Sequence, residues 1–161
     1  MQTPRLELRE LSITDAAFIV ELVNTPEWLK FIGERNVKSI PDALVYIQQI
    51  IANPNAQYWV VCLKTTTLQI GIITLIKRDY LDFHDIGFAF LSQYRKQGYA
   101  FEATQRVLES LALSPIHRQI LAITVPDNHH SVLLLERLRM KRNRTMVIGE
   151  EELSIYGLTI K

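Results

Sequence analysis

Hydrophobic and polar residues alternate near the start of the chain. Leu6, Leu8 and Leu11 are separated by Glu7, Arg9 and Glu10, which predicts a first strand. Thr14 then stands as a helix cap, with Asp15 suited to the positive end of the helix and Phe18, Ile19, Leu22 and Val23 on one face. That helix should stop near Asn24, because Pro26 disfavours a helical residue before it. Residues 27–32 have helical character but are too few to decide, and 33–38 read as a loop. Ser39 followed by Asp42, with Pro41 in the first turn, opens another helix; its apolar face is Leu44, Ile47, Ile50 and Ile51, and Asn53 and Pro54 close it.

Two β-rich runs, 58–64 and 69–77, flank the polar Thr65 to Thr67 and predict a hairpin. Residues 85–91 form a third apolar strand. Helical spacing follows over 98–113 through Ala103, Val107, Leu108 and Leu111, until Pro115. A strand at 120–125, a leucine-rich helix at 131–138 and strands at 145–148 and 153–160 complete the chain. Strands and helices mix without strict alternation, so the expected fold is a single α/β domain over 1–161, a mixed sheet covered on both faces.

Composition narrows the function classes. Hydrophobic residues make up 48% and charged residues 22%, the proportions of a globular domain. The 18 basic residues against 17 acidic ones give no general attraction to nucleic acid or to an anionic membrane. Charged or polar residues interrupt every apolar stretch before it could span a bilayer, and the charged first ten residues are not a signal peptide, so the expected location is the cytoplasm. One cysteine, Cys62, excludes an internal disulfide and reads as a packed thiol.

The chemistry concentrates between Asp85 and Thr104, in the stretch DIGFAFLSQYRKQGYAFEAT. A strand runs into a short polar loop, a glycine and a helix. Such a junction presents free backbone N–H groups and the positive end of a helix dipole, which suits an anion as large as a pyrophosphate. Gly98 lets the backbone approach closely, Ala100 does the same further on, and Arg95 and Lys96 add charge. The competing reading is a plain strand-to-helix turn with a solvated basic loop. No Gly-Lys-Ser/Thr follows, so this is not a P-loop, and the three glycines of a dinucleotide fingerprint are absent.

Arg95-x-x-Gly98-x-Ala100 resembles the R/Q-x-x-G-x-G/A acetyl-CoA signature of the GNAT acetyltransferases. Its surroundings, the opening TPRLELRELSITDAAFIVELVN and the later AITVPDNHHSVLLLERL are similar to the RimJ/RimL-type subgroup, which acetylates ribosomal-protein N-termini. The resemblance implies a three-layer fold whose sheet splays apart between strands 85–91 and 120–125. Backbone groups of Phe88, Ala89 and Phe90, with Leu91 beyond them, would meet the pantetheine arm of acetyl-CoA, and the loop Arg95, Lys96, Gln97, Gly98, Tyr99 and Ala100 its pyrophosphate. Asn128 matches the family's asparagine that reaches the pantetheine, or is a helix cap; Ser131 matches a frequent serine or alanine.

Acetyl transfer needs a neutral amine, a polarised thioester carbonyl and an outlet for the leaving thiolate. By resemblance Asp85 is the candidate base, against the alternative that it caps a strand or pairs with an arginine; a backbone N–H such as that of Phe90 would serve the oxyanion. The family's tyrosine, seven residues after the asparagine, is Leu135 here; Tyr156 is a substitute candidate for the acid, against the alternatives that it is half-buried packing in the last strand and that the thiolate takes its proton from water. The family's Leu-Gly-Phe after this helix is Leu138-Arg139-Met140; a left-handed arginine costs on the order of 1 kcal/mol, so the helix is expected to end differently.

Arg137, Arg139, Lys141, Arg142 and Arg144 read as a solvated helix C-terminus, with Arg137 a candidate for the CoA 3′-phosphate. By resemblance, Trp28 and Phe31 fall where the family walls its acceptor site, against the alternative that they are core, and Glu34 and Arg35 in the adjoining loop are candidate acceptor contacts. His129 and His130 lack a third ligand at metal spacing, so no metal is expected. The resulting expectation is transfer of acetyl from acetyl-CoA to a primary amine, a protein N-terminus ahead of a small amine. The rival is a catalytically weak CoA-binding sensor or scaffold.

Overall fold

The computed structural model describes residues 1–160. Seven strands share one sheet: β1 (Leu6–Glu10), β2 (Ala56–Leu63), β3 (Gln69–Ile76), β4 (Asp85–Phe90), β5 (Gln119–Thr124), β6 (Lys141–Ile148) and β7 (Glu151–Thr159). Their spatial order is β1-β2-β3-β4-β5-β7-β6, and every pairing is antiparallel except β4 with β5. Helices α1 (Ala16–Val23), α2 (Pro26–Phe31) and α3 (Ile40–Ala52) lie on one face, and α4 (Tyr99–Ala112) and α5 (His129–Arg137) on the other. This is the three-layer mixed architecture that the sequence led us to expect.

Alternation along the strands builds two cores. Ile86 and Phe90 pack with Val107, Leu108 and Leu135 under α4 and α5. Leu91, Val60 and Cys62 pack with Ile19, Leu22 and Ile47 under α1 and α3. Burial pushes the Cys62 thiol up, in keeping with a packed residue. Pro26 opens α2, with the Thr25 hydroxyl accepting the Trp28 N–H at 3.3 Å, so the undecided stretch is a short helix.

Three expectations are corrected. Ser12, rather than Thr14, begins the first helical segment: Asp15 accepts the Ser12 N–H at 2.9 Å across the 3-10 turn Ile13–Asp15. Asp15 does stand at the start of that helix, and it is also buried against Arg9 at 2.6 Å. On α3 the buried pair is Ala43 and Ile47, one turn apart, while Ile51 is 57% exposed. The basic cluster is not all helix C-terminus: α5 ends at Arg137, and Lys141, Arg142 and Arg144 lie on β6, whose pairing with β7 overrides a composition that shows no alternation.

Finally, α5 ends in the way Arg139 argued against. Arg139 takes φ 63°, the Arg139 N–H donates to Glu136 O at 2.9 Å and the Met140 N–H to Leu135 O at 3.0 Å. That is a Schellman ending, with its hydrophobic clasp made by Met140 and Leu135, both buried. Core burial of Met140 outweighs the strain of a left-handed arginine.

Candidate active site

β4 and β5 are paired at one position only, Asp85 opposite Leu121, closed by the Leu121 N–H on His84 O at 2.9 Å. Beyond it the two parallel strands part. On its other side β4 is fully paired with β3, from Asp85 opposite Ile76 to Phe90 opposite Gly71. The Leu91 N–H donates to Ile70 O at 2.9 Å, so by the alternation of an antiparallel ladder Ala89 also faces β3, whereas Phe88 and Phe90 turn their N–H and C=O into the gap. The three expected backbone partners therefore narrow to two, Phe88 and Phe90, since Ala89 and Leu91 turn their main-chain groups to β3 and pack with the α1 and α3 core. Among the described residues, Phe88 and Phe90 hold polar backbone that β5 leaves without a partner, an arrangement that suits a ligand arm carrying amides.

The loop after β4 leads into α4 as the sequence suggested. Lys96 has φ 58° and Gly98 φ 82°, the latter as the N-cap of α4 with no side chain capping the helix. The first N–H groups of a 14-residue helix thus point outward from a turn of left-handed residues. Arg5 buttresses this loop: its Nη1 donates to Gln97 O at 2.9 Å, its guanidinium lies 4.4 Å from the Tyr99 ring centroid, and its Nε meets Glu102 at 2.7 Å. Arg95 is not a free cation, because its Nη1 lies 2.9 Å from Glu27 of α2, which also accepts the Ser92 hydroxyl at 3.0 Å.

Beside the loop a cavity of about 720 Å³ is lined by Arg5, Gln97, Gly98, Phe101, Arg106 and Arg137, among others. Arg137 holds its guanidinium 4.2 Å from the Phe101 ring centroid. Asn128 caps α5, its Oδ1 accepting the Ser131 N–H at 3.2 Å, and its amide NH₂ makes no hydrogen bond among the described residues. Capping and ligand contact are therefore compatible in one side chain.

Asp85 sits where the gap closes. It is buried and bonded to Arg78, Nε to Oδ1 at 2.8 Å and Nη2 to Oδ2 at 3.4 Å. Burial pushes its carboxyl above the usual carboxylate range, and the Arg78 charge only partly opposes this. Tyr156 is buried on β7 in the same core as Leu135, on the α4 and α5 face, while Asp85 alternates with Ile86 and so faces the other way. The two candidates approach from opposite faces of the sheet.

The expected acceptor wall is less open than its sequence suggested. Trp28 is buried, its indole N–H on Gly33 O at 3.0 Å, and Arg35 lies over its ring at 5.9 Å. Glu34 pairs with Lys38 at 3.1 Å, and Phe31 lies under Lys30. Sequence reasoning missed Arg78, Glu27 and Arg5. The β3–β4 register carried a signal for the first: Ile76 opposite Asp85 leaves Arg78 just past the ladder, within reach.

The family profile described as "Acetyltransferase (GNAT) domain" matches residues 5–141. YnaD of Bacillus subtilis (strain 168), described as an uncharacterized N-acetyltransferase, is 30% identical over 141 residues, covering 87% of this chain and 81% of that protein. An acetyltransferase of the GNAT family from Bacillus anthracis superposes with a TM-score of 0.84 at 24% identity over 99% of this chain and 98% of the other. The spermidine N-acetyltransferase of Vibrio cholerae, in complex with CoA and spermine, gives 0.82 at 18% identity over 98% and 96%. The ribosomal-protein-S5-alanine acetyltransferase of Vibrio fischeri gives 0.81 at 17% over 99% and 95%.

Proposed function

Since the chain belongs to the GNAT acetyltransferase family and is an acetyl-CoA-dependent N-acetyltransferase, we propose that it acts as a single domain of the RimJ/RimL kind, acetylating a protein N-terminal amine in the cytoplasm by direct attack within a ternary complex. The subgroup reading rests on the opening and closing sequence segments and on likeness to the Vibrio fischeri fold.

The observation that carries the site assignment is the gap beside β4, bounded by Asp85 at its closed end and the uncapped start of α4 at its open end. Acetyl-CoA supplies the activated acyl group. Phe88 and Phe90 hold the pantetheine by main-chain groups, with Ala89 and Leu91 shaping the wall and the Asn128 amide and Ser131 reaching in from α5. Residues 95–100 take the pyrophosphate, through the N–H groups of Gly98, Tyr99 and Ala100 and the charge of Lys96; Arg95 shares its charge with Glu27. Arg137, at the rim of the adjoining cavity, takes the 3′-phosphate.

Asp85 removes the proton from the incoming amine, directly or through water; burial pushes its carboxyl up, and Arg78 partly opposes that push. Tyr156 returns a proton to the leaving sulfur from the opposite face. Trp28, Phe31, Glu34 and Arg35 support the acceptor side. Holding both reactants in line accounts for much of the rate.

The test is release of free thiol from acetyl-CoA with peptides bearing free N-termini, the same peptides blocked, and small amines including polyamines. Turnover confined to free N-termini is the expected result, and turnover confined to small amines overturns the acceptor. A second reading, a CoA-binding sensor, is favoured by one observation, Leu135 buried where the family keeps a phenol. CoA binding with no thiol release above the water blank for any amine would establish it.

A further inference from the structure

Arg5 stands immediately before β1, far in sequence from the loop at 95–100, yet its side chain is built into the turn ahead of α4. Its backbone is pinned, with the Lys64 N–H donating to Arg5 O at 3.0 Å and Leu6 fully buried beside it. From there the guanidinium reaches Gln97, Gly98 and Tyr99 in turn. Nη1 donates to Gln97 O at 2.9 Å, Nη2 lies 3.3 Å from where a side chain on Gly98 would begin, and the group sits 4.4 Å from the Tyr99 ring centroid. Nη2 makes no hydrogen bond among the described residues, and Arg5 lines the adjoining cavity together with Gln97, Gly98 and Arg137.

Arg5 also answers a charge that is badly placed for an anionic ligand. Glu102 lies in the first turn of α4, so its carboxylate occupies the positive helix end that a diphosphate needs. Three donors hold it: the Thr3 hydroxyl, the Arg5 N–H at 3.1 Å and Arg5 Nε at 2.7 Å. Burial pushes this carboxyl up, but those bonds outweigh it and hold the group below the usual carboxylate range, so Glu102 is ionised at neutral pH. Removing the Arg5 charge shifts the balance at the start of α4 by one negative charge, and removing the Glu102 charge shifts it by one positive charge. An ion pair that serves only the fold loses the same bond in either change. A charge balance set for an anionic ligand responds with opposite signs.

On the reading that residues 95–100 take the cofactor's diphosphate, we propose that Arg5 is the positioning residue of that site. It fixes the left-handed turn through Gln97 and Tyr99 and cancels the Glu102 charge that otherwise repels the ligand. Part of the cofactor site is therefore supplied from before β1, outside the segment Arg95 to Ala100.

Calorimetric titration of the full chain with CoA and with 3′-dephospho-CoA tests this, with thermal unfolding of each variant as the check on folding. Arg5→Gln is expected to weaken both ligands alike, by at least about fivefold in Kd, and by less as salt rises. Arg5→Lys keeps the charge and should lose less than Arg5→Gln. Glu102→Gln should bind as tightly as wild type or tighter, and adding it to Arg5→Gln should recover part of the loss. Glu102→Gln weaker than wild type, a double variant no better than Arg5→Gln, or Arg5→Lys no better than Arg5→Gln overturns the charge balance. A loss confined to CoA overturns the diphosphate as the group that Arg5 serves. Should Arg5→Gln fail to fold, the comparison of Glu102→Gln with wild type still decides. Wild type that ignores CoA removes the cofactor reading and this inference with it, whereas wild type that binds CoA no better than Arg5→Gln removes this inference alone.

Discussion

Replacing Arg139 by glycine should make the protein more stable, although it deletes a charged side chain. Arg139 is exposed, forms no ion pair among the described residues and has φ 63°, so the change removes backbone strain and almost nothing else. A left-handed non-glycine residue costs about 1–2 kcal/mol. Glycine returns roughly 0.4–1 kcal/mol of that as extra freedom in the unfolded chain. The net gain is about 0.5–1 kcal/mol, which for a domain of this size raises Tm by roughly 1–4 °C. Arg139→Ala is the control, because it loses the same side chain but keeps the Cβ and therefore the strain. The assay is urea and thermal unfolding of the three proteins side by side. Should the glycine variant be no more stable than the alanine variant, the account of the α5 ending is wrong, whatever either does relative to wild type.

Other expectations concern the site and the core. Burial holds the Asp85 carboxyl high and Arg78 lowers it, so removing that charge in Arg78→Gln should move the acidic limb of kcat/KM to higher pH; an unmoved limb argues against Asp85 as the base. The same raised carboxyl favours folding at pH below the ordinary aspartate range and loses that contribution as pH rises through its folded value, so Asp85→Asn should flatten this part of a stability–pH curve. Gly98→Val cannot hold φ 82° without strain, and CoA affinity by calorimetry should fall at least about tenfold, the worth of one charge-assisted main-chain bond of about 1.5 kcal/mol. The Thr104 hydroxyl is fully buried with no hydrogen-bond partner among the described residues, so Thr104→Val should raise the urea midpoint, by about 1 kcal/mol in stability.

Elements that bury one face announced themselves in the sequence. Alternation in β1 and the 3.6-residue spacing of Ala103, Val107, Leu108 and Leu111 in α4 reflect cores that the structure does contain. β6 gave a weak signal for a physical reason: an edge strand exposed on both faces has no pattern to show. Asp15 was legible as a charge at a helix start, whereas its pairing with Arg9 is set across a turn, and a local rule about helix ends has no access to that partner. Gly98 was legible because its conformation is rare, and the residue that tolerates it is distinctive. Arg139 was misjudged through the same rule, since the rule prices the strain but not the burial of Met140 that the turn makes possible.

The binding surface is less legible than the turn that marks it, and its chemistry explains why. Phe88 and Phe90 contribute to the gap through N–H and C=O groups that any residue except proline would supply, so the identity of their side chains answers to the core under α4 and not to the ligand. What sequence must preserve is the separation of β4 from β5 and the left-handed turn before α4. Protein folds with as little as 17% identity to this chain keep the same overall architecture. The side chains proposed for the chemistry, Asp85 with Arg78 on one face and Tyr156 on the other, come from three different strands or strand ends and are related only through sheet order. A site divided in this way lets the acceptor side vary while the cofactor side stays fixed, which is why acceptor identity has to be read from turnover and not from the loop proposed to bind CoA.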